Sequence, residues 1–182
     1  MDNNGQRLMV VDLDNTLFFT DKCIKKASKE IAGITLDSNQ VRKLDKKEKR
    51  QILSVAFSKY WKESIPNRKM LRLLKSNYKK SDMKVIILTA RFSDSKKNTI
   101  KLLSKNNVPY NRLICRESKY RNMHDEEWKL LTLKNIIKTT KPRSVELFED
   151  KRENITHIAP YMKGVEFASY MVGKESIVAL DT

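Results

Sequence analysis

The stretch Leu8-Met9-Val10-Val11-Asp12-Leu13-Asp14-Asn15-Thr16-Leu17 decides how the rest of the chain is read. Four apolar residues run straight into two aspartates spaced two apart, then into Asn and Thr. A short apolar run that ends at polar residues is the pattern of a buried strand. A first strand is therefore expected over about 8–12, with a polar turn over 13–21 behind a short lead-in over 1–7. Two carboxylates at the carboxyl end of a buried strand repel each other and lose hydration. That is costly unless a cation or a proton compensates them. Mg²⁺ suits the role, because it is a hard cation that takes carboxylate and carbonyl oxygens. The plain alternative is a strand followed by an aspartate-rich turn.

Further along, two more apolar runs end at residues with chemistry. Val85-Ile86-Ile87-Leu88 leads into Thr89-Ala90-Arg91, and Val145-Glu146-Leu147-Phe148 leads into Glu149-Asp150. Asn111 to Arg116 reads as a short third strand, and 165–168 and 176–180 as closing strands. Helices are expected between them: one opened by Pro66, with an apolar stripe at Met70, Leu71, Leu74 and Tyr78, and one over roughly 95–107 with Ile100 and Leu103 facing inward. Asp125-Glu126-Glu127-Trp128-Lys129 opens another, with acids in its first turn. A lysine so early in a helix opposes the dipole and asks for a local reason. Strands alternating with helices imply a parallel sheet, in which ligands sit beyond the strands' carboxyl ends.

Asp12, Asp14 and Thr16 match the D-x-D-x-T motif of the haloacid-dehalogenase (HAD) superfamily of phosphohydrolases, which this chain resembles over about 8–158. Thr89 resembles the hydroxyl residue of the second motif and Lys129 the third-motif lysine, with Lys134 as its rival. Glu149-Asp150 resembles the acidic fourth motif. Thr89-Ala90-Arg91 and Trp128-Lys129 also resemble the polynucleotide-end phosphatase branch. The resemblance implies an α/β, HAD-like Rossmannoid parallel sheet with flanking helices and a small helical cap insertion. It implies Asp12 as nucleophile, Asp14 as proton donor and then base, and Thr89 and Lys129 as stabilisers of the transferring phosphoryl group. It implies Mg²⁺ held by Asp12, Asp14, Asp150 and Glu149, with Asn154 orienting Asp150. Thr16 and Arg91 are expected to help bind substrate, Arg91 by a bidentate contact to phosphate.

The 182 residues suit a single domain, with residues 22–65 expected as a basic, mainly helical cap. Lys+Arg is 38 against 22 Asp+Glu, a net charge of +16. Such an excess draws polyanions; the plain alternative is a surface merely solvated by lysine. Cys23 and Cys115 lie far apart, outside any C-x-x-C spacing, as suits a reducing compartment. No apolar run approaches a membrane span and no signal-peptide pattern opens the chain, so an intracellular, cytoplasmic or nuclear protein is expected. The reading that follows is a Mg²⁺-dependent phosphomonoester hydrolase acting through an aspartyl-phosphate on phosphorylated DNA or RNA ends. The alternatives are a phosphatase of a small phosphomonoester such as a nucleotide, and a non-catalytic nucleic-acid-binding module.

Overall fold

A computed structural model describes residues 5–180; the first four residues of the expected lead-in lie outside the described residues. The elements are β1 (Arg7–Val11), β2 (Phe18–Phe19), α1 (Asp21–Ala32), α2 (Ser38–Arg42), α3 (Lys46–Ser58), β3 (Ile65–Pro66), α4 (Arg68–Tyr78) and β4 (Met83–Phe92). They continue with α5 (Lys96–Lys105), β5 (Arg112–Arg116), α6 (Asp125–Thr140), β6 (Ser144–Glu149), α7 (Arg152–Ile158), β7 (Glu166–Val172) and β8 (Ile177–Leu180).

Six strands form one sheet in the order β5-β4-β1-β6-β7-β8. All neighbours are parallel except β8, which runs antiparallel to β7 along the edge. The alternation along β1 builds a core on each face. Met9 and Val11 pack with α4 and α5 side chains such as Met70, Leu74, Leu102 and Leu103. Leu8 and Val10 pack on the other face with Trp128, Leu133, Ile136, Ile155 and Ile158 from α6 and α7. A strand covered on both faces must be apolar throughout, which is why the sequence of β1 shows a run and not an alternation.

Two local expectations are corrected. Pro66 does not open α4: it lies in β3, and Asn67 caps the helix by accepting from the Met70 amide at 3.2 Å. An Asn side chain satisfies a free helix amide, which proline cannot do. Ile100 is 42% exposed, while Thr99, Leu102 and Leu103 face the core, so the buried face of the helix runs through Thr99 and Leu102 and not through Ile100.

Residues between β2 and β3 form a helical insertion. Its neck is the antiparallel pair of β2 and β3, with Phe18 opposite Pro66 and Phe19 opposite Ile65. Beyond it α1, α2 and α3 enclose a small core of their own from Cys23, Ile24, Ala27, Val41, Ile52, Ala56 and Phe57. Gly33, at φ +72°, ends α1 in the left-handed region that glycine enters without strain. Among the described residues no helix is long and apolar enough to cross a membrane.

Candidate active site

The register of the sheet brings the acids together. Val11 lies beside both Ile87 of β4 and Phe148 of β6. The next residue on each side is then Asp12 against Glu149, and the Asp12 amide donates to the Phe148 carbonyl at 2.9 Å. Carboxylate oxygens of Asp12, Glu149 and Asp150 all lie within 4.8 Å of one another. The Asp14 side chain is not part of that trio.

After Asp12 the chain turns sharply. Asn15 sits at φ 64°, a conformation that Asn tolerates better than most residues. Its Oδ1 accepts from the Thr20 amide at 3.3 Å and fixes the turn. Asp14 leaves the turn toward β4, where Arg91 grips it: Nε donates at 2.9 Å to Oδ2, and a terminal nitrogen at 2.6 Å to Oδ1. The guanidinium stacks on Phe57 of α3, 3.9 Å from the ring centre. The phosphate contact expected of Arg91 would have to share a fork that Asp14 already fills.

Lys129, in the second turn of α6, is 3% exposed. Its ammonium donates to Asp12 Oδ1 and to Glu149 Oε2, each at 2.6 Å. This is the local reason for a lysine near a helix N-terminus. Burial opposes its charge, but Asp12 and Glu149 outweigh burial and raise its pKa. The rival Lys134 is exposed and lies over the Tyr161 ring at 4.2 Å, outside the site. Burial pushes the Asp12 carboxyl up to about 7, with Glu149 and Asp14 adding to the effect and Lys129 opposing it. Burial also raises Glu149 and Asp150.

Thr16 is fully buried beneath the turn, and among the described residues its hydroxyl has no partner. Thr89 is also fully buried; its hydroxyl accepts from the Arg91 amide at 3.2 Å, and no acceptor takes its proton among the described residues. Asn154 is buried with its amide nitrogen unpartnered, and no hydrogen bond joins it to Asp150.

Three features were not expected from the sequence. Arg42 of α2 reaches across from the insertion to Asp150 Oδ2 at 3.1 Å. Phe57 supplies the surface under Arg91. A flanking network joins Asp125 to Arg116 at 2.6 Å and to Lys151 at 2.9 Å. Burial alone would raise Asp125, but Lys151, Arg116 and Lys129 hold its carboxyl well below the usual range. Arg42 and Arg50 stood in a basic run, but nothing local marked which of them would meet an acid 108 residues away.

Above the acids lies a cavity of about 1150 Å³ between the insertion and the sheet. Four carboxylates at its floor face two buried cations, Lys129 and Arg91. The surplus of negative charge suits a divalent cation, and the three clustered carboxylates have the hard oxygen donors that Mg²⁺ takes.

No protein-family model matches the chain, and no curated protein matches it by sequence. Its fold does match solved structures. A chain of the Pnkp1/Rnl/Hen1 complex superposes with TM-score 0.58 at 17% identity over 92% of this chain. This chain spans 47% of that one, so about half its length. Another structure of that complex is described as an RNA repair complex. A HAD-superfamily hydrolase of subfamily IA from Geobacter sulfurreducens gives TM-score 0.57 at 12% identity, covering 90% of this chain and 86% of that one. CbbY from Rhodobacter sphaeroides, in complex with phosphate, gives 0.60 at 11%, covering 92% and 87%. The architecture is the α/β fold of the HAD-superfamily hydrolases.

Proposed function

We propose that this chain is a Mg²⁺-dependent phosphomonoester hydrolase that works through an aspartyl-phosphate and acts on phosphorylated nucleic-acid ends. One observation carries the reading: Asp12, Glu149 and Asp150 converge within 4.8 Å, with the Lys129 ammonium 2.6 Å from Asp12. Asp12, Glu149 and Asp150 would hold the cation, the Asp14 backbone being the further ligand that the motif implies. A bound divalent cation neutralises phosphoryl oxygens and keeps Asp12 ionised.

The chain's own groups then divide the work. Among the described residues one Asp12 oxygen is hydrogen-bonded, by Lys129, and the other is left to attack phosphorus. As the new P–O bond forms, the ester P–O bond breaks, and Asp14, turned out of the Arg91 fork and carrying a proton, gives that proton to the departing oxygen. In the second half Asp14, now a carboxylate, takes a proton from water, water oxygen bonds to phosphorus and Asp12 is freed. The Arg91 fork is the resting place of Asp14 as a carboxylate, beside the site. Lys129 and the uncommitted hydroxyl proton of Thr89 stabilise charge on the phosphoryl oxygens. Thr16 supports the turn that aims the two aspartates. The helical insertion serves as a cap, held over the site by the Arg42–Asp150 pair and by Phe57 on Arg91.

The net charge of +16 and the likeness to a chain of an RNA repair complex support a nucleic-acid end as substrate. The test is release of phosphate, with Mg²⁺, from a phosphate-ended oligonucleotide and from a mononucleotide. Asp12→Asn should lower turnover by at least about 10⁴-fold while still unfolding in one cooperative transition. Full activity in that variant would remove Asp12 as the nucleophile. Turnover of the mononucleotide alone would favour a small-molecule phosphatase, and turnover of neither a binding module.

A further inference from the structure

Five cations of the insertion meet a carboxylate: Lys22 and Lys26 meet Glu63, Lys25 meets Asp21, Lys59 meets Glu30 and Arg42 meets Asp150. Three that line the cavity do not. Lys46, Lys49 and Arg50 all line the cavity, and their spacing puts them on one face of α3. Arg50 donates to the Arg121 carbonyl at 2.6 Å and to Asn122 Oδ1 at 3.3 Å. Lys46 donates to the Asn122 carbonyl at 3.4 Å. These acceptors are neutral, so the charges stay uncompensated. Lys49 has no ion-pair partner among the described residues.

Lys46 also costs stability where it stands, because a cation in a helix's first turn opposes its dipole. The amides there are already used: Asp45 accepts from Lys47 N at 2.8 Å and Glu48 N at 3.1 Å. The attraction on this wall is thus side-chain charge. Beside Arg50, Arg121 also lines the cavity; it lies 5.4 Å over the Phe92 ring, with its nearest carboxylate, Asp94, at the edge of ion-pair range at 4.0 Å.

We propose that Lys46, Lys49 and Arg50, with Arg121 beside Arg50, form the track for the phosphodiester backbone of a single-stranded polynucleotide next to its terminal phosphate. A lone phosphate on the acidic floor would leave this wall uncompensated. A strand that continues from that phosphate carries further negative charges past it. The proposal rests on the reading of Asp12 as the place of the terminal phosphate, but its test does not use turnover.

The test is the salt dependence of binding of a fluorescent, phosphate-ended single-stranded oligonucleotide to the full chain. Each cation removed from a single-strand site lowers the slope of log K against log salt by about 0.7. Lys46→Gln/Lys49→Gln/Arg121→Gln keeps Arg50, which ties the insertion to the core. It should lower the slope by about two and weaken binding about tenfold or more at low salt. Lys46→Gln/Lys49→Gln alone should lower it by about 1.4, which guards against a fold effect in the triple variant. The control is Lys97→Gln/Lys101→Gln/Lys105→Gln, which removes the same charge from the exposed face of α5 and should leave the slope within about 0.5 of wild type. Equal losses in track and control variants, no loss in the track variants, or no binding by the wild type would each overturn the track. Phosphate release from a mononucleotide, measured separately, keeps the two readings apart. Release without strand binding removes only the track, and strand binding at the track without release from any ester removes only the phosphatase.

Discussion

On the floor of the cleft each buried cation is answered at close range. Lys129 lies 2.6 Å from two carboxylates, and Arg91 takes Asp14 in a fork. On the wall opposite, Lys46 and Arg50 meet only neutral oxygens. The floor belongs to the sheet and is dry: the Lys129 side chain is 3% exposed and that of Glu149 1%. The wall belongs to the insertion and is wet. The difference follows from the cost of burying charge. A buried charge must be paired or its own pKa shifts toward the neutral form, whereas a hydrated one can stand alone. The floor is therefore built to order groups around a phosphorus atom, and the wall to attract. Variants that unpair the floor should be far more damaging than variants on the insertion's surface.

The largest effect is expected from Lys129→Met. It leaves Asp12 and Glu149 buried side by side with no cation between them, a loss of about 3–5 kcal/mol and roughly 10 °C in melting temperature. Turnover should also fall by about 10²–10³-fold through loss of phosphoryl charge stabilisation. Lys134→Met should change neither quantity. Equal effects from the two lysines, read by calorimetry without Mg²⁺, would break the distinction between floor and surface.

Next comes the pH dependence of Asp12. Its carboxyl, raised by burial to about 7, keeps a proton in the folded chain that the unfolded chain gives up near pH 4. Between those values the folded state binds more protons, so this group's contribution to stability falls as pH rises toward 7. Subtracting the melting temperatures of Asp12→Asn isolates that term: the wild type should compare best at about pH 4 and below and worst above pH 7. Mg²⁺ must displace the same proton, so its affinity should weaken by about tenfold per pH unit below 7. A Mg²⁺ titration flat from pH 5.5 to 8 would contradict the assignment.

Much of this floor was legible in the sequence, because its signals are local. An apolar run ending in Asp12-Leu13-Asp14 needs only a buried strand to place its carboxylates, and Lys129 declared itself by opposing a helix dipole. What was not legible depended on contacts across the chain. No pattern near Arg91 says that its guanidinium lies on Asp14, 77 residues away. None near Arg42 says that it crosses from the insertion to Asp150. The antiparallel β8 escaped for a related reason: an edge strand of Ile177-Val178-Ala179-Leu180 reads the same in either direction.

Arg42 is where the two regions touch, so Arg42→Gln asks whether they compete. Its guanidinium shares Asp150 with any cation bound on the floor. The pair is half in solvent, at 45% exposure for the Arg42 side chain and 12% for Asp150. Screening limits its worth to about 1 kcal/mol or less. The variant should therefore bind Mg²⁺ up to about fivefold more tightly, as isothermal titration would show. A weaker affinity would mean that Arg42 orders Asp150 for the cation and does not compete for it.

The smallest effect is expected from Glu63→Gln, in the insertion. Lys26 and Lys22 hydrogen-bond this carboxylate at 2.6 and 3.0 Å and lower it to about 2. A lowered carboxyl contributes stability that is present above its unfolded value of about 4.5 and is lost as pH falls toward 2. Yet both lysines are about half exposed, and solvent-screened pairs contribute little. The melting temperature at pH 7 should move by no more than about 1–2 °C. The difference between wild type and variant should shrink as the pH falls from about 4.5 and vanish only below about 2. A shift as large as that of Lys129→Met would show that the insertion's ion pairs support the whole fold, and that floor and surface do not differ in the way their burial implies.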